Sequence, residues 1–231
     1  MRIIKFYGIA FFLATLVSCS FNSNSDSEKT ASQNKEDSSK VSGNQENQKV
    51  ILFFGNSITA GYGLDPSEAY PARIQQKIDS LGLNYQVVNA GLSGETTAAG
   101  VKRLDWVLEQ QQIDIFVLEL GGNDGLRGIE PSETRKNLQQ IMEKVQKKSP
   151  EIQILLTGIE VPPNMGESYA SQFRNVFKEV AAAYQVTFMP FILEGVGGVP
   201  ELNQADGIHP TVEGQKIVAA HVWEYLKKIM D

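Results

Sequence analysis

The chain has 231 residues, a formal net charge of −6, one cysteine and two histidines. That length supports one good-sized domain with its own core. The mildly acidic balance, without any cluster of Lys and Arg, argues against nucleic-acid binding, which needs concentrated positive charge. A single cysteine excludes an internal disulfide and a cysteine-based zinc cluster.

The amino-terminal segment reads as an address. Arg2 and Lys5 precede an apolar run from Phe6 to Val17. About a dozen residues is too short for a bilayer span, which needs roughly 20, and a positive start before a short apolar run is the pattern of a secretory signal. The run ends Leu16-Val17-Ser18-Cys19, which resembles a bacterial lipobox. Residues 1–18 are therefore expected to be a lipoprotein signal peptide, with Cys19 acylated and first in the mature chain. The alternative is an ordinary signal peptide in which Cys19 is incidental. Two or more acyl chains would anchor the protein stably to a membrane. Ser20 stands where Asp would favour inner-membrane retention in some bacteria, so the expected location is the cell envelope, at the outer membrane or facing the periplasm. Residues 19–48 carry the lipid and then a polar tether of Ser, Asn, Gln, Lys, Asp and Glu, with Ala31 and Val41 almost alone as apolar residues. Such a segment buries too little surface to offset its ordering entropy and is expected to be disordered. The folded domain is expected over residues 49–231.

Within that domain, strand-length apolar runs alternate with helical stripes. Residues 50–54 form a continuous apolar run, as a strand covered on both faces requires. Tyr70, Ile74 and Ile78 recur every four residues, with Pro71 at the start of that helix and Gly82 just past its end. Residues 85–88 predict a second strand, and 98–108 a helix with Val101, Leu104, Val107 and Leu108 on one face. Residues 113–120 predict the third strand. Leu138, Ile141, Met142 and Val145 mark the next helix, entered at Pro131. Residues 152–156 predict the fourth strand, and Phe173, Val176, Phe177, Val180 and Tyr184 the helix after it. Residues 186–188 predict a short fifth strand. A looser, glycine-rich stretch over 190–207 leads to a final helix over 211–228, with Val218, Val222, Tyr225 and Ile229 inward. Five strand–helix alternations predict an α/β fold: a five-stranded parallel sheet in a three-layer α/β/α sandwich with right-handed crossovers. No internal repeat and no second domain is visible.

In such sheets, sites form beyond the carboxyl ends of the strands. Four polar clusters fall there. Gly55-Asn56-Ser57-Ile58-Thr59 follows the first strand and offers a hydroxyl nucleophile. Asn89-Ala90-Gly91-Leu92-Ser93-Gly94-Glu95-Thr96 follows the second; its glycines let backbone N–H groups approach an anion. Gly121-Gly122-Asn123-Asp124-Gly125 follows the third, and an asparagine amide is a neutral donor suited to an oxyanion. Asp206-Gly207-Ile208-His209-Pro210-Thr211 precedes the last helix; a carboxylate three residues before a histidine can hold its Nδ1–H and leave Nε2 free as a base. Each cluster alone also reads as a turn or a helix cap. Together they supply nucleophile, base, base-orienting carboxylate and oxyanion donors. His221, inside the last helix beside Val218, Val222 and Tyr225, is expected to serve packing or the surface.

These blocks resemble those of the SGNH hydrolases, the GDSL-type esterase/lipase superfamily. Ser57, Gly94, Asn123 and His209 match the family's serine, glycine, asparagine and histidine in order, and Asp206 matches the acid of its D-x-x-H block. The strings LELGGNDGLRG and DGIHPT, and the loop EVPPNMGESY over residues 160–169, are most similar to the bacterial thioesterase/arylesterase/lysophospholipase subgroup. The resemblance implies a flavodoxin-like sheet and hydrolysis of acyl esters, aryl esters or thioesters without metal or cofactor. It also implies a catalytic Ser57, His209 and Asp206, an oxyanion hole from the Ser57 and Gly94 N–H groups and the Asn123 amide, and a small ester or thioester substrate. The protein is expected to be a monomer. Alternatives are a carbohydrate O-acetylesterase and a non-catalytic binding protein on the same sheet. One departure stands out: Asn56 occupies a position where the family usually has Asp. Asn suffices if the side chain braces the loop by hydrogen bonds; the rate falls if its charge tunes the site.

Overall fold

The structure is a computed structural model that describes residues 48–230. The expected signal segment, Cys19 and nearly all of the expected tether lie outside the described residues.

The first strand, β1 (Lys49–Gly55), buries Ile51, Leu52, Phe53 and Phe54 completely, as its unbroken apolar run demands. It lies between β2 (Tyr85–Gly91) and β3 (Ile115–Glu119), and β4 (Gln153–Thr157) and β5 (Thr187–Met189) follow outward. The order is β2-β1-β3-β4-β5, with every pairing parallel. Helices α3 (Thr97–Glu109), α5 (Pro131–Lys148) and α6 (Glu167–Tyr184) pack side by side as one layer. Helices α2 (Tyr70–Ser80) and α7 (Val212–Leu226) pair as the other. The three layers, the five parallel strands and the single core match the sequence-based expectation. The strand order is that of a flavodoxin-like sheet, with its switch point between β1 and β3, where the chain leaves in opposite directions and opens a crevice at the carboxyl ends.

Two short helices occupy places where turn-favouring residues predict only turns: α1 (Ser57–Ala60) and α4 (Gly122–Leu126). The first forms because Asn56 accepts the Ile58 N–H and caps a helix. The second follows Gly121, whose φ of +124° and Cα packed on Phe177 leave no room for a side chain. The last helix also differs in detail. Its inner stripe is Val218, Ala219, Val222 and Leu226, while Tyr225 and Ile229 are only partly buried. Gln215 is buried on the same face, accepting the Tyr70 N–H at 2.9 Å and donating to Ile58 O at 3.2 Å. That side chain ties α7 to α1 and α2, directly beneath the nucleophile turn.

Candidate active site

The nucleophile turn is shaped by contacts from other elements. A Cβ on Gly55 would sit 2.1 Å from Thr59 Oγ1 and 2.8 Å from the Glu119 carbonyl oxygen, so only glycine lets β1 turn this tightly against β3. Asn56 then uses both ends of its amide. Oδ1 accepts the Ile58 N–H at 3.0 Å, and Nδ2 donates to Glu119 Oε1 at 2.8 Å. The Asn56 N–H and Thr59 Oγ1 both donate to Glu119 Oε2, at 3.2 and 2.8 Å. Asn89 Nδ2 holds the Thr59 carbonyl at 2.9 Å. Asn56 therefore braces the loop, which is the role an asparagine can fill in place of aspartate. Ser57 opens α1, so its own N–H has no acceptor within the helix. Burial pushes the Glu119 carboxyl up to about 7, against the donors of Thr59 and Asn56, which pull it down. Burial, and then the Glu119 charge, raises the Tyr70 hydroxyl well above its usual range.

The base arrives on a separate loop. His209 Nε2 lies 2.8 Å from Ser57 Oγ, and its Nδ1 lies 2.7 Å from Asp206 Oδ2. Asp206 Oδ1 also accepts the Ile208 and His209 N–H groups at 2.9 and 3.0 Å. The bond from the His209 ring, followed by that from the His209 N–H, lowers the Asp206 carboxyl to about 2. The carboxylate is thus charged at neutral pH and holds the ring with Nδ1–H toward it, leaving Nε2 as acceptor. The Tyr62 ring rests 4.6 Å from the imidazole, and Gln204 Nε2 donates to Tyr62 O at 2.7 Å, so the two loops brace each other. His221 lies within α7 and has no hydrogen bond to Ser57 or Asp206.

The two remaining blocks also meet. Gly94, at φ +81°, lies between β2 and α3, and Asn123 lies in α4. Asn123 Nδ2 donates to Glu95 O at 3.0 Å and keeps a second N–H for another acceptor. Arg127 Nη2 donates to Gly94 O at 3.2 Å. Beneath them, the buried Glu95 carboxylate takes two bonds from Arg103, whose guanidinium lies 4.2 Å over the Phe54 ring and also donates to Ala90 O. Buried Asp124 accepts the Thr97 N–H at 2.9 Å and the Thr97 hydroxyl at 2.5 Å. The four blocks legible in the sequence therefore gather on one rim. Sequence reasoning placed Thr59, Asn89 and Glu95 within these blocks without a role, and missed two of their supports outright: Arg103, which pairs with Glu95, and above all Glu119. A usable signal was present, since Glu119 is a carboxylate inside an otherwise apolar strand.

Four exposed apolar residues belong to the segments that form this rim: Tyr62, whose ring lies against His209, Leu92 just past β2, Leu126 at the end of α4, and Ile208 next to His209. A cavity of about 530 Å³ lies at the other end of the sheet, lined in part by Asp114, Ile152 and Gln153, and takes no part in this chemistry.

A hydroxyl, an imidazole and a carboxylate in series at the switch point of a doubly wound sheet are the components of an acyl-transfer site. Comparison with known proteins identifies the lineage. Residues 53–217 match the GDSL-like lipase/acylhydrolase family, and the chain belongs to it. It is 41% identical over 182 residues to esterase TesA of Pseudomonas aeruginosa, covering 79% of this chain and 90% of that protein. It is 36% identical over 182 residues to thioesterase 1/protease 1/lysophospholipase L1 of Escherichia coli, covering 79% and 85%. A crystal structure of TesA superposes with a TM-score of 0.76 at 41% identity, over 79% of this chain and all of that one.

Proposed function

We propose that this protein is a serine hydrolase that cleaves carboxylic esters and thioesters through an acyl-enzyme. Ser57 Oγ attacks the substrate carbonyl carbon while His209 Nε2 takes its proton. The tetrahedral oxyanion is received by the Ser57 and Gly94 N–H groups and the free N–H of the Asn123 amide. As the tetrahedral state collapses, the imidazolium returns the proton to the departing alcohol or thiol. Water, deprotonated by the same imidazole, then attacks the acyl-serine and releases a carboxylic acid and free Ser57. Asp206 holds the ring orientation and offsets its positive charge throughout.

The observation that carries this reading is the unbroken series Ser57 Oγ to His209 Nε2 at 2.8 Å and His209 Nδ1 to Asp206 at 2.7 Å. The test is labelling by a fluorophosphonate probe. Ser57→Ala is expected to abolish labelling and His221→Ala to preserve it; the reverse pattern would overturn the assignment.

A second reading is a carbohydrate O-acetylesterase. The exposed Tyr62, Leu92, Leu126 and Ile208 favour an acyl chain over a sugar beside Ser57. Turnover of p-nitrophenyl acetate, butyrate and octanoate against an acetylated polysaccharide separates the two; preference for the polysaccharide would reverse the choice.

The protein is further proposed to be a monomer, held in the cell envelope by acylated Cys19 and facing the periplasm from the outer membrane. The lipobox-like Leu16-Val17-Ser18-Cys19 supports this, and no helix among the described residues is long and apolar enough to cross a membrane. Metabolic labelling with a fatty-acid analogue should mark the full chain and fail on Cys19→Ala; equal labelling of both would refute the anchor.

A further inference from the structure

Glu119 ends β3 as a buried carboxyl that the acyl-transfer steps above do not use. Each polar group facing it donates: the Asn56 N–H, Asn56 Nδ2 and Thr59 Oγ1. Tyr70, on α2, reaches the cluster through its 2.9 Å bond to Thr59 and is the titratable neighbour set against it. The far end of the Asn56 amide is also committed. Its Oδ1 accepts the Ile58 N–H at 3.0 Å and lies 3.5 Å from Ser57 Oγ. Turning the amide over would put Nδ2 against the Ile58 N–H, donor to donor, and Oδ1 against the carboxyl.

We propose that Glu119 is a positioning residue for the nucleophile: through the Asn56 amide it fixes the cap of α1 and so directs Ser57 Oγ toward His209 Nε2. The inference rests on Ser57 being the nucleophile. Asn56 matters because its amide hydrogens do not titrate, so the contact keeps its donor at every working pH. A carboxylate at position 56 would stand about 2.8 Å from Glu119 and could remain there only with one proton shared between the two.

The pairing gives a reciprocal test. In Glu119→Gln, one oxygen of the carboxyl becomes an NH₂. Facing Asn56 Nδ2, that group meets a donor; rotated, it meets the Asn56 N–H instead. Either orientation leaves a donor against a donor. In Asn56→Asp, acceptor faces acceptor unless a proton intervenes. In the double variant Asn56→Asp/Glu119→Gln the match returns with its polarity reversed. The introduced NH₂ donates to the introduced carboxylate, whose other oxygen still accepts the Ile58 N–H, while the remaining amide oxygen serves the backbone N–H of position 56 and Thr59.

Turnover of p-nitrophenyl butyrate should be measured on the full chain, per site titrated by the fluorophosphonate, across neutral and alkaline pH. Each single variant is expected to lose about tenfold in kcat at nearly unchanged KM, and the double variant to regain most of that loss. Asn56→Asp alone should show an added fall in kcat as pH rises and the shared proton leaves. Singles with wild-type kcat, a double variant no better than the weaker single, or an Asn56→Asp profile parallel to wild type would each overturn the clamp while leaving Ser57 as nucleophile. A wild-type chain that the probe does not label would overturn both. If a single variant fails to fold, Thr59→Val, which withdraws one donor from the same carboxyl, is expected to lower kcat about threefold or more; wild-type kcat there also overturns the clamp.

Discussion

Ser57 and His209 meet at 2.8 Å, yet their segments are held by opposite means. The Ser57 turn is buried and held from outside itself by Glu119, Asn89 and Gln215, which come from β3, β2 and α7. The His209 loop is largely self-contained: Asp206 binds the Ile208 N–H, the His209 N–H and the His209 ring within three residues. One half of the reactive pair is fixed by the tertiary fold, and the other by local chain geometry. Chemistry should therefore be equally sensitive on both sides, and stability should not.

The largest expected effect treats the halves alike. Ser57→Ala and His209→Ala should each lower kcat by roughly 10³ or more, with melting temperatures close to wild type. Unequal losses would break the symmetry of the pair. Asn123→Ala should lower kcat by about 10²–10³ through loss of one oxyanion donor, read in the same assay.

Stability should then separate the halves. Gly55→Ala drives a methyl into Thr59 and the β3 backbone, and is expected to destabilise by about 3 kcal/mol or more in urea unfolding, beyond the usual cost of overpacking. Gly207→Ala meets nothing within 4 Å and suffers only its φ of +69°, a cost of about 1–2 kcal/mol. Equal costs would mean that the base loop is held as tightly as the nucleophile turn.

The finest comparison lies in pH dependence, where the two carboxyls should act with opposite sign. Glu119 is raised from 4.5 to about 7, so between those values the folded chain keeps a proton that the unfolded chain has released. Stability therefore falls as pH rises through that window. Asp206 is lowered from 3.8 to about 2, so its contribution is complete above 3.8 and disappears as pH falls toward 2. Urea midpoints across pH should lose the first slope in Glu119→Gln and the second in Asp206→Asn; retention of either slope would assign it to other groups.

The same contrast governs what was legible. Asp206 and His209 declare their partnership by being three residues apart, and Ser57 and Asn123 sit among turn-favouring residues just past an apolar run, whereas Gly94 is singled out only by the resemblance to the SGNH blocks. Glu119 shows in the sequence only as a carboxylate in an apolar run; its role stays hidden because its partners, Asn56 and Thr59, lie 63 and 60 positions away. Arg103 is similar: helical periodicity marks it as polar surface, whereas it covers Phe54 and pairs with Glu95.

By itself, the sequence determined the five strands, the main helices and the residue types of the site. Periodicity reports which positions must leave water, and turn chemistry reports where chains end. Only the tertiary structure decided the order β2-β1-β3-β4-β5, the meeting of Ser57 with a histidine 152 positions away, and the Asn56–Glu119 contact beneath it. A hydrophobic pattern says that a face is covered without naming its cover, and a donor chooses its acceptor only once distant strands lie side by side.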